Sequence, residues 1–256
     1  MLIATNAIVL KRIPYSDTSI ICRVFTEDYG KVTLMAKGVM RPKNITGGLL
    51  EPSNHIHLQF YNKSTRDIQI LKDANFIQQY PLLRNNLDRI VIGLAIVELI
   101  DKATMDCNPY PVLYRLGWRI LDKLNDKKQN MWLVFAFFLY QFSLRLGFMP
   151  NLKNCSKCNS KMSQGGIDEH SGELVCDNCN SQCKINLIEN SFTLLNQITT
   201  IHLDELQTLK YDKNIVLNPI RFLDIFITHH IEGLKRVKSM EMVRSFINNE
   251  QGNLVK

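Results

Sequence analysis

The chain has 256 residues, 45% hydrophobic and 21% charged, which is globular composition with enough apolar material for a sizeable core or several smaller ones. The opening "MLIATNAIVLKR" lacks a basic segment, apolar block and small-residue cleavage site, so no secretory signal is expected. The formal net charge of +7 lies entirely in the first 150 residues; from 151 onward twelve Lys/Arg face twelve Asp/Glu. Such an excess attracts polyanions through counterion release, which indicates a class of partner without naming one.

Residues 1–80 read as a small β domain. The runs "IATNAIVLKR", "SIICRVFT", "KVTLMAKG", "HIHLQFYN" and "RDIQILKDA" are β-rich, with breakers at Pro14, Ser16-Asp17, Asp28 to Gly30, Pro42 to Gly48 and Asn62 to Ser64. Five short strands in this length suit an OB-fold barrel, and a small barrel of another topology has the same strand count. Seven cations, Lys11, Arg12, Arg23, Lys31, Lys37, Arg41 and Lys43, precede residue 44 against three acids, with Tyr15, Phe25 and Tyr29 interleaved. OB barrels bind single strands by pairing a cationic groove with stacking aromatics. The bland reading makes Phe25 core and the cations a solvated face.

From Tyr80 the pattern turns helical. "LDRIVIGLAIVELIDKA", "PVLYRLGWRILDKLND" and "NMWLVFAFFLYQFSLRLGF" carry apolar residues at spacings of three and four, the last on most faces. Gln141, Ser143 and Arg145 break that run short of the roughly 18–20 apolar residues of a membrane span, so it reads as the central helix of a bundle.

Five of the seven cysteines lie in residues 154–183. Cys155, Cys158, Cys176 and Cys179 form C-x2-C-x17-C-x2-C, the spacing of a zinc site: two tight turns aim four thiolates at one tetrahedral ion. Disulfides would need an oxidising compartment, and nothing indicates export. Between the pairs, "SQGGIDEHSGELV" reads as a hairpin with a tight turn at Ser171-Gly172 and His170 at its tip. Cys183 is a spare thiol able to substitute as a ligand; lone Cys22 and Cys107 read as buried small residues. The zinc is expected to be structural. Four thiolates close its shell, and the H-x-E…P-C-x-x-C pattern of a deaminase is missing.

Beyond the module, "SFTLLNQITTI", "LDELQTLK" and "NPIRFLDIFITHHIEGL" add helices, the last with Pro219 near its first turn and with His229 and His230 read as surface or core polar residues. No phosphate loop, G-x-G-x-x-G, H-E-x-x-H or G-x-S-x-G occurs, which lowers the expectation of catalysis. The expected architecture is α+β and multidomain: an OB-fold barrel over 1–80, a helical domain over 81–150, a zinc module over 151–185, and C-terminal helices over 186–256 packing on the helical domain.

Three stretches resemble the bacterial recombination mediator RecO family: "YSDTSIICRVFTEDYGKVTLMAKGVMRPKNITGGLLEP", "SLRLGFMPNLKNCSKC" and "GLKRVKSMEMV" with Lys238 and Ser239. "KGVMRPKN" is less basic than is common in that family. The resemblance covers nearly the whole chain and implies a non-enzymatic, cytoplasmic, nucleoid-associated protein of DNA repair. It would bind single- and double-stranded DNA, anneal complementary strands, and work with RecR to place RecA on strands coated by single-strand-binding protein (SSB). The seven cations above are the candidate DNA contacts, Lys37 and Arg41 foremost because they flank Gly38. Arg115 and Arg119 are candidates for holding the acidic tail of SSB. Two rival classes remain: an RNA-binding accessory protein, and a nucleic-acid ligase, which the absence of K-x-D-G opposes.

Overall fold

The structure, a computed structural model, describes residues 1–252 other than 43, 45, 169 and 181–185, with backbone alone for 249–252. Its chain divides into two compact units, Met1–Asn125 with Val237–Met240, and Asp126–Arg236 with Glu241–Lys256. Lys43 and Cys183 lie outside the described residues.

The first unit is built on a closed barrel of β1 (Leu2–Pro14), β2 (Ile20–Thr26), β3 (Gly30–Ala36), β4 (His55–Tyr61) and β5 (Ile68–Gln78), in the order β1-β2-β3-β5-β4. β1 pairs antiparallel with both β2 and β4, and β3 meets β5 in parallel, so no sheet edge is left open. A closed five-stranded barrel of OB type is what the strand count anticipated. Alternate residues point inward: Ala7, Val9, Ile20, Cys22, Val24, Leu34, Ile56, Leu58 and Phe60 fill the interior. Inside the Pro42 to Gly48 stretch, read as a breaker, lies a single helical turn, α1 (Thr46–Leu49).

Two further helices in this unit, α3 (Leu87–Ala103) and α4 (Pro111–Leu124), follow the short α2 (Leu82–Asn85). α3 starts where Asn86 accepts a hydrogen bond from the Arg89 N–H at 3.0 Å, and α4 starts on Pro111, whose fixed φ suits a first helical position. Gly117 lets α4 close on the barrel: a Cβ there would lie 2.9 Å from Ile8 Cδ1 of β1. Phe25 is fully buried, against Tyr110 and Tyr114, so it is core and not a stacking platform. Cys107 differs from expectation. It is exposed, at a left-handed φ of 55°, in the loop whose Cys107 N–H donates to the Lys31 carbonyl at 3.1 Å.

The second unit centres on α5 (Met131–Arg145), buried along most of its length and packed by α6 (Glu189–Thr200) and α7 (Lys213–His230). "LDELQTLK" is a 3-10 helix over Leu203–Thr208 and not an α-helix. Pro219, expected near the first turn of its helix, lies deeper in α7 because the helix starts earlier than the run beginning at Asn218. The helix begins at Lys213, with Asp212 at its N-cap position, which places the proline two turns in. α8 (Lys238–Gly252) closes the described chain. No helix among the described residues is long and apolar enough to cross a membrane.

Candidate metal centre and nucleic-acid interface

Two turns build the cysteine centre. In the first, the Cys155 N–H donates to the Ser160 carbonyl and the Asn159 N–H to the Cys155 carbonyl, both at 2.9 Å, with Asn159 left-handed at φ 59°. In the second, a 3-10 turn over Asp177–Cys179 bonds the Cys179 N–H to the Cys176 carbonyl at 2.9 Å. The strands β6 (Gly165–Ile167) and β7 (Leu174–Val175) bring the turns together, and β8 (Asn186–Leu187) extends that sheet.

The four sulfurs all lie within 4.8 Å of one another, with Cys158 Sγ 3.6 Å from Cys176 Sγ. A tetrahedral ion with metal–sulfur bonds of about 2.3 Å needs sulfur–sulfur edges of about 3.8 Å, so the donor set fits one. The electrostatics agree. Burial raises the Cys155 thiol, but N–H groups of Cys176, Cys158 and Lys157 outweigh it and bring its pKa down to about 6. The neighbouring thiols of Cys158 and Cys176, with some desolvation, push Cys179 up to about 12. Four adjacent thiols do not all ionise unaided; a cation among them would supply the missing charge.

The expected hairpin is present, and its tip is where the module is fastened. Asp168 Oδ1 accepts the N–H groups of His170 and Ser171, and Lys157 pairs with the same carboxylate, bringing it down to about 2. Gly172 is left-handed at φ 69° and sits against α7, where an added Cβ would fall 2.3 Å from His229 Cδ2. His230 Nε2 approaches Glu173 at 3.4 Å. His229 and His230, read only as polar residues of a long helix, are thus the surface that seats the hairpin. Nothing in helical periodicity marks that role.

Six of the seven candidate cations of the barrel are described, all but Lys43, and they separate into two groups. Lys31 is 5% exposed; its Nζ donates to the Asp101 carbonyl at 2.6 Å and lies 3.3 Å from Asp106 Oδ1. Arg23 Nη2 takes both oxygens of Asp106 at 3.0–3.1 Å, and Nη1 reaches Asp101. Together they fasten the barrel to the end of α3. Arg12 pairs with Glu51. Spent on carboxylates of the same chain, these three differ in kind from Lys11, Lys37 and Arg41, which are exposed.

Lys37 and Arg41 follow β3 at the end of the barrel where Tyr15 follows β1. Ile20 of β2 pairs with both Pro14 and Ala36, so Tyr15 and Lys37 leave the barrel at one end, on either side of β2. The Met40 N–H donates to the Thr18 carbonyl at 3.0 Å and ties the two turns together. Tyr15 is 63% exposed and Met40 45%. Cations around an exposed ring suit a backbone-tracking, base-stacking surface. Arg115 and Arg119 lie on α4, one turn apart.

Sequence reasoning missed Glu98. Its Oε2 accepts from the Ser239 N–H at 2.9 Å and Ser239 Oγ at 2.6 Å, and Oε1 accepts from the Lys238 N–H at 3.2 Å. Burial raises the Glu98 pKa, but those three hydrogen bonds outweigh it and lower it overall. The carboxylate caps the first turn of α8, within the Lys238-Ser239 segment. No local pattern joins residues so far apart in sequence.

A closed OB-type barrel with appended helices and a four-thiol centre defines an α+β, multidomain architecture, and its likeness to known proteins narrows the class. Residues 1–80 match the family model described as Recombination protein O N terminal, and residues 84–241 the one described as Recombination protein O C terminal. The chain belongs to the recombination protein O (RecO) family. Among similar proteins named DNA repair protein RecO, that of Prosthecochloris aestuarii is 34% identical over 155 residues, 60% of this chain and 59% of the relative. That of Salinibacter ruber is 35% identical over 149 residues, 58% and 57%. In these two the chain spans less than three-fifths of the relative's length. The Chloroherpeton thalassium protein is 25% identical over 261 residues, 96% of this chain and all of the relative.

Proposed function

We propose that the chain is a DNA-binding recombination mediator of DNA repair, with no catalytic step of its own. It anneals complementary single strands and helps RecR place RecA on SSB-coated DNA, in the cytoplasm and at the nucleoid. The observation that carries this reading is the match of both family models along the chain, supported by the exposed rim of Tyr15, Lys37 and Arg41. Annealing requires screening of two phosphate backbones, which surface cations provide without nucleotide hydrolysis.

In this reading residues 1–80 are the nucleic-acid-binding domain, 81–150 and 186–256 the helical support, and 151–185 the metal module. Lys37 and Arg41 lead the DNA contacts, with Lys11 beside them. Arg115 and Arg119 offer charge to the acidic SSB tail. Cys155, Cys158, Cys176 and Cys179 hold a structural zinc ion; four thiolates favour zinc over hard, oxygen-seeking cations. Bound there, the ion supplies folding free energy to a segment with little core of its own.

The test is annealing of a labelled strand to its complement without nucleotide, at two salt concentrations, with and without SSB. Salt-sensitive acceleration that survives SSB coating is the expected result. Acceleration on bare DNA alone would remove the mediator role, and preference for RNA of matched sequence would favour an RNA-binding accessory protein.

A further inference from the structure

A second feature of the first unit has no part in that scheme. On the side of the barrel covered by α4 is a cleft of about 350 Å³. Its floor and walls are aromatic: Tyr80, His55, Tyr114 and Trp118. Glu27, from the turn after β2, and Asp122, from α4, supply two carboxylates, and none of the described lining residues is Lys or Arg. His55 adds no positive charge near neutral pH, since burial pushes its pKa down to about 4.

Tyr80 is 3% exposed and lines the cleft, and among the described residues its hydroxyl has no hydrogen-bond partner. A buried hydroxyl left unmatched costs free energy, and such groups in folded proteins have a partner far more often than not. The neighbouring polar groups are already engaged. His55 Nε2 and Tyr114 Oη share a hydrogen bond of 2.8 Å, and Asn6 Nδ2 donates to Glu27 at 3.2 Å. His55 stacks on Trp118, 9° from parallel with centroids 5.7 Å apart, which fixes the indole plane at the cleft.

We propose that this cleft receives an arginine side chain presented by a partner polypeptide. A guanidinium is planar and stacks on the plane of an aromatic ring such as Trp118, carries charge toward Glu27 and Asp122, and has donors enough to reach the Tyr80 oxygen as well. A lysine ammonium offers charge without the stacking plane. A nucleotide would bring its phosphate against two carboxylates, which places the cleft apart from the basic rim in its choice of partner.

The experiment uses the full chain and follows the indole N–H resonance of Trp118, one of two tryptophans. The probes are acetyl-Gly-Arg-Gly-amide at millimolar concentration and the same peptide with neutral, near-isosteric citrulline. Saturable shifts with the arginine peptide are expected, at least tenfold weaker with lysine or citrulline in its place. Glu27→Gln with Asp122→Asn weakens arginine binding at least tenfold, and Tyr80→Phe weakens it severalfold without loss of fold, checked by circular dichroism. An equal response to citrulline, or no saturable response, overturns the proposal. A Trp118 shift on adding oligothymidylate that the carboxylate substitutions leave unchanged would assign the cleft to a nucleobase instead.

Discussion

Ser191 Oγ donates a 3.0 Å hydrogen bond to the carbonyl of Ile215, and Pro219 is the reason that carbonyl is free. In an α-helix the N–H four residues on would take it, and proline has none. Ser191 is fully buried, so no water competes for the position. A proline two turns into α7 is tolerated because a residue of another helix completes its ladder. Ser191→Ala is expected to cost about 1–2 kcal/mol by leaving a buried acceptor unmatched. In a Pro219→Ala background the restored N–H serves Ile215, and the same substitution costs less than half as much. Equal costs in both backgrounds, measured by urea unfolding, would disconnect Ser191 from the proline.

The metal module invites a prediction about where its stability resides. Removal of metal by a thiol-competing chelator, or Cys176→Ser, is expected to release zinc and lower the thermal midpoint of the second unit. Gly172→Ala acts at the other end of the hairpin. Its left-handed φ and the His229 ring behind it leave no room for a methyl group, so loss of at least about 1 kcal/mol is expected with metal still bound. Unchanged zinc content and midpoint in Cys176→Ser would refute the structural role.

Much of this was legible in the sequence, for reasons that differ by element. The strands of the barrel announce themselves because each has one buried face and period-two alternation reports it. α3 and α4 are legible through their apolar spacing and through Pro109 and Pro111, just before and at the start of α4. The cysteine pairs are legible because ligand geometry fixes their spacing. The limits came where a distant residue decides. Lys31 looks like any surface cation until Asp101 and Asp106 arrive from the end of α3, and Pro219 looks like a helix start until Ser191 relieves it. Glu98 is an ordinary helical acid until Ser239 meets it from far along the chain. Patterns over a few residues carry no information about such pairs.

His55 gives a pH dependence with a definite sign. Burial beneath Trp118 and against Tyr114 brings its pKa from 6.5 to about 4, so the folded state holds it neutral. Between those values the unfolded chain binds the extra proton and the folded one does not. Stability therefore rises with pH across that window, is lost as pH falls from 6.5 toward 4, and changes little further below. Thermal midpoints of the wild type and His55→Gln should converge or cross on acidification, with the wild type losing more. Parallel curves from about pH 7 to about pH 4 would show that His55 protonates freely in the fold.

The two groups of barrel cations separate by salt dependence. For a single strand, the slope of log affinity against log salt falls by about 0.7 for each phosphate that the protein no longer neutralises. Lys37→Ala with Arg41→Ala, both exposed on the rim, is expected to flatten the slope for single-stranded DNA by about 1.4 and leave stability within about 0.5 kcal/mol. Tyr15→Ala weakens binding without altering the slope, since a stacking ring releases no counterion. Lys31→Ala does the reverse of the rim pair: removal of a buried ammonium held by Asp101 and Asp106 destabilises the first unit and leaves the slope intact in the protein that folds. A slope that falls in Lys31→Ala and stays constant in the rim variant would move the nucleic-acid surface away from Tyr15 and onto the face of β3.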